Sequence, residues 1–292
     1  MTVAQHVPVP SALPSRVLRI AAAQAPVLPG DVEANAARAA ELVDLAAAAG
    51  ARLVVFAEKF LTGYDPELIA TDPVRYTVTA DDPRLAPIAA ACRTHAVTAV
   101  LGAATRDEAG VLRISALVLG PDGAPLARYD KQHQYGMEPA VFAAGSAGLT
   151  LVLDGWRLGL GICYDSGFPE HARAAALDGC HAYLVGALFG TGVGRRQRAV
   201  WFPARAMDNT MYVLLANHVG SAGDLQGCGG SAVWGPDAAL LADAGGTDAG
   251  LAVADLEPSV LAAVRAELTM VPDLAARDAA IATGPRTRVT VA

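Results

Sequence analysis

The chain has 292 residues, 53% of them hydrophobic and only 17% charged, with a formal net charge of -7. This composition supports a large buried core and excludes global disorder. The acidic balance argues against a nucleic-acid partner, which needs a basic face, and the densest basic run (Arg195, Arg196 and Arg198) is too short to track phosphates.

The length suits one large domain, with two smaller ones as the alternative. Prolines at 8, 10 and 14 and a weak pattern predict a flexible N-terminal arm over residues 1–16, ahead of a main domain over 17–275 and a tail over 276–292. The first twenty residues hold no apolar core of a signal peptide, and no run of about 18 apolar residues predicts a membrane span. Cys92, Cys163, Cys180 and Cys228 are far apart and form no CxxC pair. A zinc or iron–sulfur site therefore has no local signature, and reduced thiols in a cytoplasmic protein are expected.

In chain order, Val17–Ala23 reads as a first strand. Asp31–Ala49 has apolar residues at helical spacing, with Gly50 suited to the stop. Arg52–Ala57 reads as a short buried strand with Glu58 at its end. Pro83–His95 predicts a helix. Thr98–Thr105, Arg113–Leu119 and Leu126–Tyr129 predict strands, with turn residues at 120–123 and Lys131 just beyond the last of them. Leu149–Leu153 and Arg157–Cys163, joined by Asp154-Gly155, predict a hairpin. A helix over Pro169–Leu177, a strand over Ala182–Ala187, a helix over Gln197–Asn209 and a strand over Met211–Asn217 follow. Gly230–Trp234 and Leu251–Leu256 read as the last strands, Pro258–Glu267 as a helix, and the tail as extended. The alternation indicates an α/β fold, and the hairpins fit a purely parallel sheet poorly.

Three segments carry candidate chemistry. In the first, Phe56–Tyr64, a carboxylate (Glu58) emerges where an apolar strand ends. In the second, Tyr129–Pro139, Lys131 follows a strand, with Glu138 seven residues on, and an ammonium there could stabilise an oxyanion. His133 in that loop reads as structural, because a metal site needs several ligands. In the third, Leu158–Glu170, a strand delivers Cys163 to a tight turn before a helix. That is the layout of a nucleophile elbow, and a nearby helix N-terminus would favour the thiolate. Each segment alone also has a bland reading: a solvated glutamate, a polar loop, a buried structural cysteine. The other three cysteines take the bland reading.

Together, in this order and spacing, the three segments resemble the nitrilase superfamily of carbon–nitrogen hydrolases, in its amidase-like branch. The likeness extends through Trp201–Asn209, Tyr212–Asn217 and the stretch from Gly229, and so covers roughly residues 17–257. The resemblance implies a four-layer α-β-β-α sandwich, a homodimer or larger homo-oligomer, and no metal or organic cofactor. It implies that Glu58, Lys131 and Cys163 are a catalytic triad with Glu138 as a second glutamate beside it. Tyr64 and Tyr164, inside the first and third motifs, are expected at the substrate.

The expected reaction is hydrolysis of a small linear amide through a cysteine thioester. Nitrilase and N-carbamoyl hydrolase activities use the same triad and stand as alternatives. A catalytically inactive binding module is the alternative from another class. Many relatives carry an arginine, often against a substrate carboxylate, where this chain has Gly167. Its absence points to an uncharged substrate, with Arg195 and Arg196 as possible replacements at the pocket mouth.

Overall fold

The computed structural model describes residues 12–222, 225–277 and 286–291. The expected N-terminal arm lies mostly outside these residues. Its last part is tied down by a bond from Trp156 Nε1 to the Arg16 carbonyl at 2.8 Å.

The first half builds one sheet and its covering helices. The elements are β1 (Leu18–Gln24), α1 (Val32–Ala48), β2 (Leu53–Val55), α2 (Pro66–Thr71), α3 (Pro73–Tyr76), α4 (Ala86–His95), β3 (Thr98–Arg106), β4 (Leu112–Leu119) and β5 (Pro125–Asp130). β1, β2 and β3 run parallel, because helices cross between them, and β3, β4 and β5 form an antiparallel meander. Asp31 caps α1 by accepting from the Ala34 N–H at 3.0 Å. Val32, Ala36, Ala39, Val43 and Ala46 then form the buried stripe of α1.

The second half builds the facing sheet. Its elements are β6 (Gly148–Leu153), β7 (Trp156–Ile162), α5 (Pro169–Leu177), β8 (Ala182–Ala187), α6 (Val193–Asn209), β9 (Tyr212–Asn217), β10 (Val219–Ala222), β11 (Leu225–Cys228), β12 (Ala232–Trp234), β13 (Leu240–Asp243), β14 (Gly250–Leu256), α7 (Pro258–Glu267), α8 (Met270–Arg277) and β15 (Arg286–Val291). The sheet order is β13-β12-β9-β8-β7-β6-β15, while β14 crosses over to complete the first sheet as β14-β1-β2-β3-β4-β5. β10 and β11 form a separate hairpin.

The period-two pattern of the strands explains the layering. In β1, Leu18, Ile20 and Ala22 face the core shared by the two sheets, while Ala21 and Ala23 pack with α1 and α4. On the far side, Ala172 and Ala175 of α5 and Phe202 and Ala206 of α6 cover the second sheet. The result is the expected α-β-β-α sandwich. Truncating a fully buried core residue such as Leu53 to alanine would cost about 2–5 kcal/mol.

Several expectations shift at their edges. The Arg52–Ala57 strand shortens to β2, because the chain leaves the sheet at Phe56. The Gln197–Asn209 helix begins earlier, at Val193, inside the glycine-rich stretch. The expected tail is not merely extended: β15 pairs in parallel with β6 at the sheet edge. The hairpin turn is as predicted, with both Asp154 (φ 50°) and Gly155 (φ 82°) left-handed, as a two-residue turn requires.

Candidate active site

The ends of β2, β5 and β7 converge at one edge of the two-sheet core. Glu58 arrives from β2 on a sharp turn held between the sheets. Two glycines make the room. A Cβ on Gly102 of β3 would stand 2.0 Å from the Ala57 carbonyl oxygen, and one on Gly186 of β8 would stand 2.4 Å from that of Phe56. Any side chain at either position would expel the segment. Lys59 sits in the left-handed region (φ 51°), which costs roughly 1–2 kcal/mol in a non-glycine residue. Neighbours hold the turn: His218 Nε2 donates to the Glu58 carbonyl at 2.5 Å, and Asn35 Nδ2 of α1 donates to the Leu61 carbonyl at 3.1 Å.

Cys163 is the first residue beyond β7, also left-handed (φ 46°). This is the strained elbow expected from the sequence. Ser166 Oγ donates to the Cys163 carbonyl at 2.6 Å, and Arg205 Nε of α6 donates to the Ser166 carbonyl at 3.1 Å. Buried Asp165 ties this turn to the lysine loop. Its Oδ2 accepts from the Ile162 N–H at 3.0 Å and from Tyr129 Oη at 2.6 Å. Its Oδ1 accepts from the His133 N–H at 2.8 Å and from His133 Nδ1 at 2.9 Å. His133 is therefore structural, stacked on Phe168 at 4.0 Å, as the single-histidine argument predicted.

Lys131, on the residue after β5, is 1% exposed. Its Nζ donates to Glu58 Oε1 at 2.7 Å and to Glu138 Oε2 at 2.7 Å. Glu138 is buried and saturated with donors. Oε2 also accepts from the Tyr135 N–H at 2.8 Å, while Oε1 accepts from Tyr64 Oη at 3.0 Å and Lys59 Nζ at 3.3 Å. Glu58 differs: its Oε2 is buried and has no hydrogen-bond partner among the described residues.

These environments pull the two carboxyls apart, the pattern that separates a proton carrier from a fixed anion. Burial raises Glu58 above the usual carboxylate range, and Glu138 adds to this, against the opposing pull of Lys131 and Lys59. Glu138 is also penalised by burial, but Lys59 and Lys131 outweigh it and hold Glu138 below that range. Burial works against the Lys131 ammonium too, yet the Glu58 and Glu138 carboxylates overcome it and keep it charged. The Cys163 thiol is pushed up, first by burial and then by Glu58. Burial and the Glu58 carboxylate thus act against the thiolate that the helix end was expected to favour. His218 is pushed down to about 4 by burial and stays neutral.

Tyr64 and Glu138 open onto a cavity of about 310 Å³, whose rim includes Tyr135, Met137, Leu225, Asp65 and Glu67. Tyr164 is next to this rim, its ring 5.3 Å from that of Tyr135. Arg195 and Arg196 are exposed at the start of α6. A larger cavity of about 500 Å³ lies at the start of α1 and contains none of the triad residues. Among the described residues, no group of three or more His, Cys, Asp or Glu is placed to hold a metal ion, and no helix is long and apolar enough to cross a membrane. Cys92, Cys180 and Cys228 are buried and free.

Sequence reasoning missed Lys59, Asp165 and His218. For Lys59 a signal was present: a lysine flanked by Phe56, Phe60 and Leu61 stands where a solvated side chain is out of place.

Residues 19–266 match the family described as carbon-nitrogen hydrolase. A Pseudomonas protegens protein described as "Hydrolase in pqqF 5'region" is 34% identical over 260 residues, covering 86% of this chain and 87% of that protein. A deaminated glutathione amidase of Synechocystis sp. is 30% identical over 258 residues, covering 80% and 90%. Among solved structures, an amidase of Nesterenkonia sp. AN1 in complex with acrylamide superposes with a TM-score of 0.76 at 31% identity, covering 88% of this chain and 98% of that one. Single mutants of the same amidase are also known with butyramide, and with acrylamide added to the active-site cysteine. The chain belongs to the carbon–nitrogen hydrolase family of the nitrilase superfamily.

Proposed function

We propose that this carbon–nitrogen hydrolase cleaves small uncharged amides through a thioester on Cys163. The observation that carries the reading is the state of Glu58: one oxygen is held by Lys131, while the other is buried with no hydrogen-bond partner among the described residues, and the carboxylate raises the Cys163 thiol. Glu58 takes the thiol proton as sulfur attacks the amide carbon. The oxyanion that forms is stabilised by Lys131 and by the Tyr164 backbone N–H. Glu58 then gives its proton to the departing nitrogen, and ammonia or an amine leaves. Water, deprotonated by Glu58, attacks the thioester and releases the acid, and the proton returns to sulfur.

The neutral-substrate part rests on three features. A Cβ on Gly167 would meet the Trp201 ring at 3.1 Å, so Trp201 occupies the ground over which a longer side chain would run. The rim is apolar through Met137 and Leu225, and its charged members Asp65 and Glu67 are acidic and repel a carboxylate. The amidase neighbour binds butyramide, a compound of this class. A homodimer through α6 belongs to the same reading: Val193, Val200 and Met207 recur at seven-residue spacing and are exposed.

The test measures ammonia release from butyramide, butyronitrile and N-carbamoyl compounds. The proposal expects the amide to be turned over fastest, and Cys163→Ala to abolish turnover. Turnover of the nitrile alone, or release of carbon dioxide with ammonia, would assign one of the alternative activities.

A further inference from the structure

We propose that Lys59 is a positioning residue: its ammonium neutralises Glu138, which leaves the charge of Lys131 to Glu58 and keeps Glu58 an ionised base. The inference rests on the reading of Glu58 as the group that takes the Cys163 proton.

Lys59 is fully buried and follows Glu58 directly in the chain. Its Nζ lies 3.3 Å from Glu138 Oε1, 3.6 Å above the centre of the Tyr64 ring and 5.3 Å from that of Phe142. Burial pulls the Lys59 amine below its usual range, while the Glu58 and Glu138 carboxylates and the aromatic face favour its charged form. Its backbone is left-handed and its side chain is withdrawn from solvent. The triad mechanism makes no use of it.

The charge balance gives its role. Glu58, Glu138, Lys59 and Lys131 form a buried cluster of two carboxylates and two ammoniums. The other titratable groups facing it are the Cys163 thiol, the Tyr64 hydroxyl and the neutral His218, none of them cationic. Without Lys59, two buried carboxylates share one ammonium, and a buried pair so matched takes up a proton. The proton goes to the carboxylate with fewer donors. Glu138 would still accept from Lys131, Tyr64 and the Tyr135 N–H, whereas among the described residues Glu58 accepts only from Lys131 and has an open oxygen. Glu58 is therefore the group that protonates, and a protonated Glu58 accepts nothing from Cys163.

The experiment compares the wild type, Lys59→Met, Glu138→Gln and the double variant across pH. It uses two readouts: kcat and KM for butyramide, and the rate of Cys163 alkylation by iodoacetamide, located by mass spectrometry. Lys59→Met is expected to move the acid limb of both profiles up by about one pH unit. At pH values below the limb kcat then falls about tenfold, recovers at higher pH, and KM changes little. Glu138→Gln, which leaves two ammoniums to Glu58, should move the limb down, and the double variant should bring it back toward the wild type. A merely structural lysine would lower activity by one factor at all pH values without moving the limb, and that result overturns the proposal. If Lys59→Met does not fold, a limb in Glu138→Gln that stays still or rises overturns it equally. Should the wild type hydrolyse no amide while the alkylation limb moves as described, the amidase reading fails and the role of Lys59 stands.

Discussion

Lys131 donates to Oε1 of Glu58 at 2.7 Å with both side chains withdrawn from solvent, while Oε2 of the same carboxylate is left open. This division of labour within one carboxylate, one oxygen anchored and one free for a proton, is what the proposed chemistry requires.

Lys131 should act on the transition state, because the proposed mechanism sets its charge against the developing oxyanion. Lys131→Met is expected to lower kcat by about a hundredfold or more, with a smaller change in KM. Steady-state kinetics on butyramide checks this. A change confined to KM would assign Lys131 to substrate binding instead.

The acid limb of activity should lie above the ordinary carboxylate range. Burial raises Glu58, so it protonates earlier as pH falls, and a protonated Glu58 is no base. The pH dependence of kcat/KM reads this limb in the free enzyme. A limb at or below about 4, the value of an unperturbed carboxylate, would contradict the assignment.

Asp165 should be a fastener between the cysteine turn and the lysine loop. Burial opposes its ionisation, but His171, His133, Tyr129 and the Ile162 N–H hold it below the usual range. Replacing this ionised acceptor by Asn should cost about 2–3 kcal/mol of stability at neutral pH. The sign follows from the lowered value: the stabilisation is present above the unfolded carboxyl value near 4 and fades as pH falls through the folded one. Urea unfolding of the wild type and Asp165→Asn should therefore converge at acid pH. A difference that is constant from pH 7 down to pH 3 would assign the loss to shape rather than charge.

Substrate charge should matter at Gly167. A neutral aliphatic amide is expected to exceed its carboxylate-bearing analogue of equal length in kcat/KM by tenfold or more, since Arg205, the buried guanidinium beside Gly167, is already taken up by the Ser166 and Gly167 carbonyls. A tenfold preference for the acidic analogue, erased by Arg195→Ala or Arg196→Ala, would show that the exposed arginines of α6 replace the missing one.

Much of this arrangement was legible in the sequence, for identifiable reasons. Long elements with caps and stops, such as α1 between Asp31 and Gly50, or the Asp154-Gly155 hairpin, spell their own boundaries. Glu58, Lys131 and Cys163 were visible because each follows an apolar strand, and strand ends converge in a layered α/β fold. The strands β10, β11, β13 and β15 were not visible, since they are short or edge strands with mixed exposure. Lys59 was hidden for a different reason. Its burial depends on a left-handed turn and on Glu138, seventy-nine residues away, which no local pattern encodes. The forces that oppose the Cys163 thiolate were hidden on the same ground: helix ends are local, whereas burial and a facing carboxylate are not.

The most direct test of the central claim is intact-mass spectrometry of the wild type quenched during butyramide turnover, followed by peptide mapping. A butyryl adduct is expected on Cys163 and absent from Cys163→Ala, while Cys92→Ala, Cys180→Ala and Cys228→Ala still form it and turn over. Full turnover by Cys163→Ala, or an adduct on another cysteine, would contradict it.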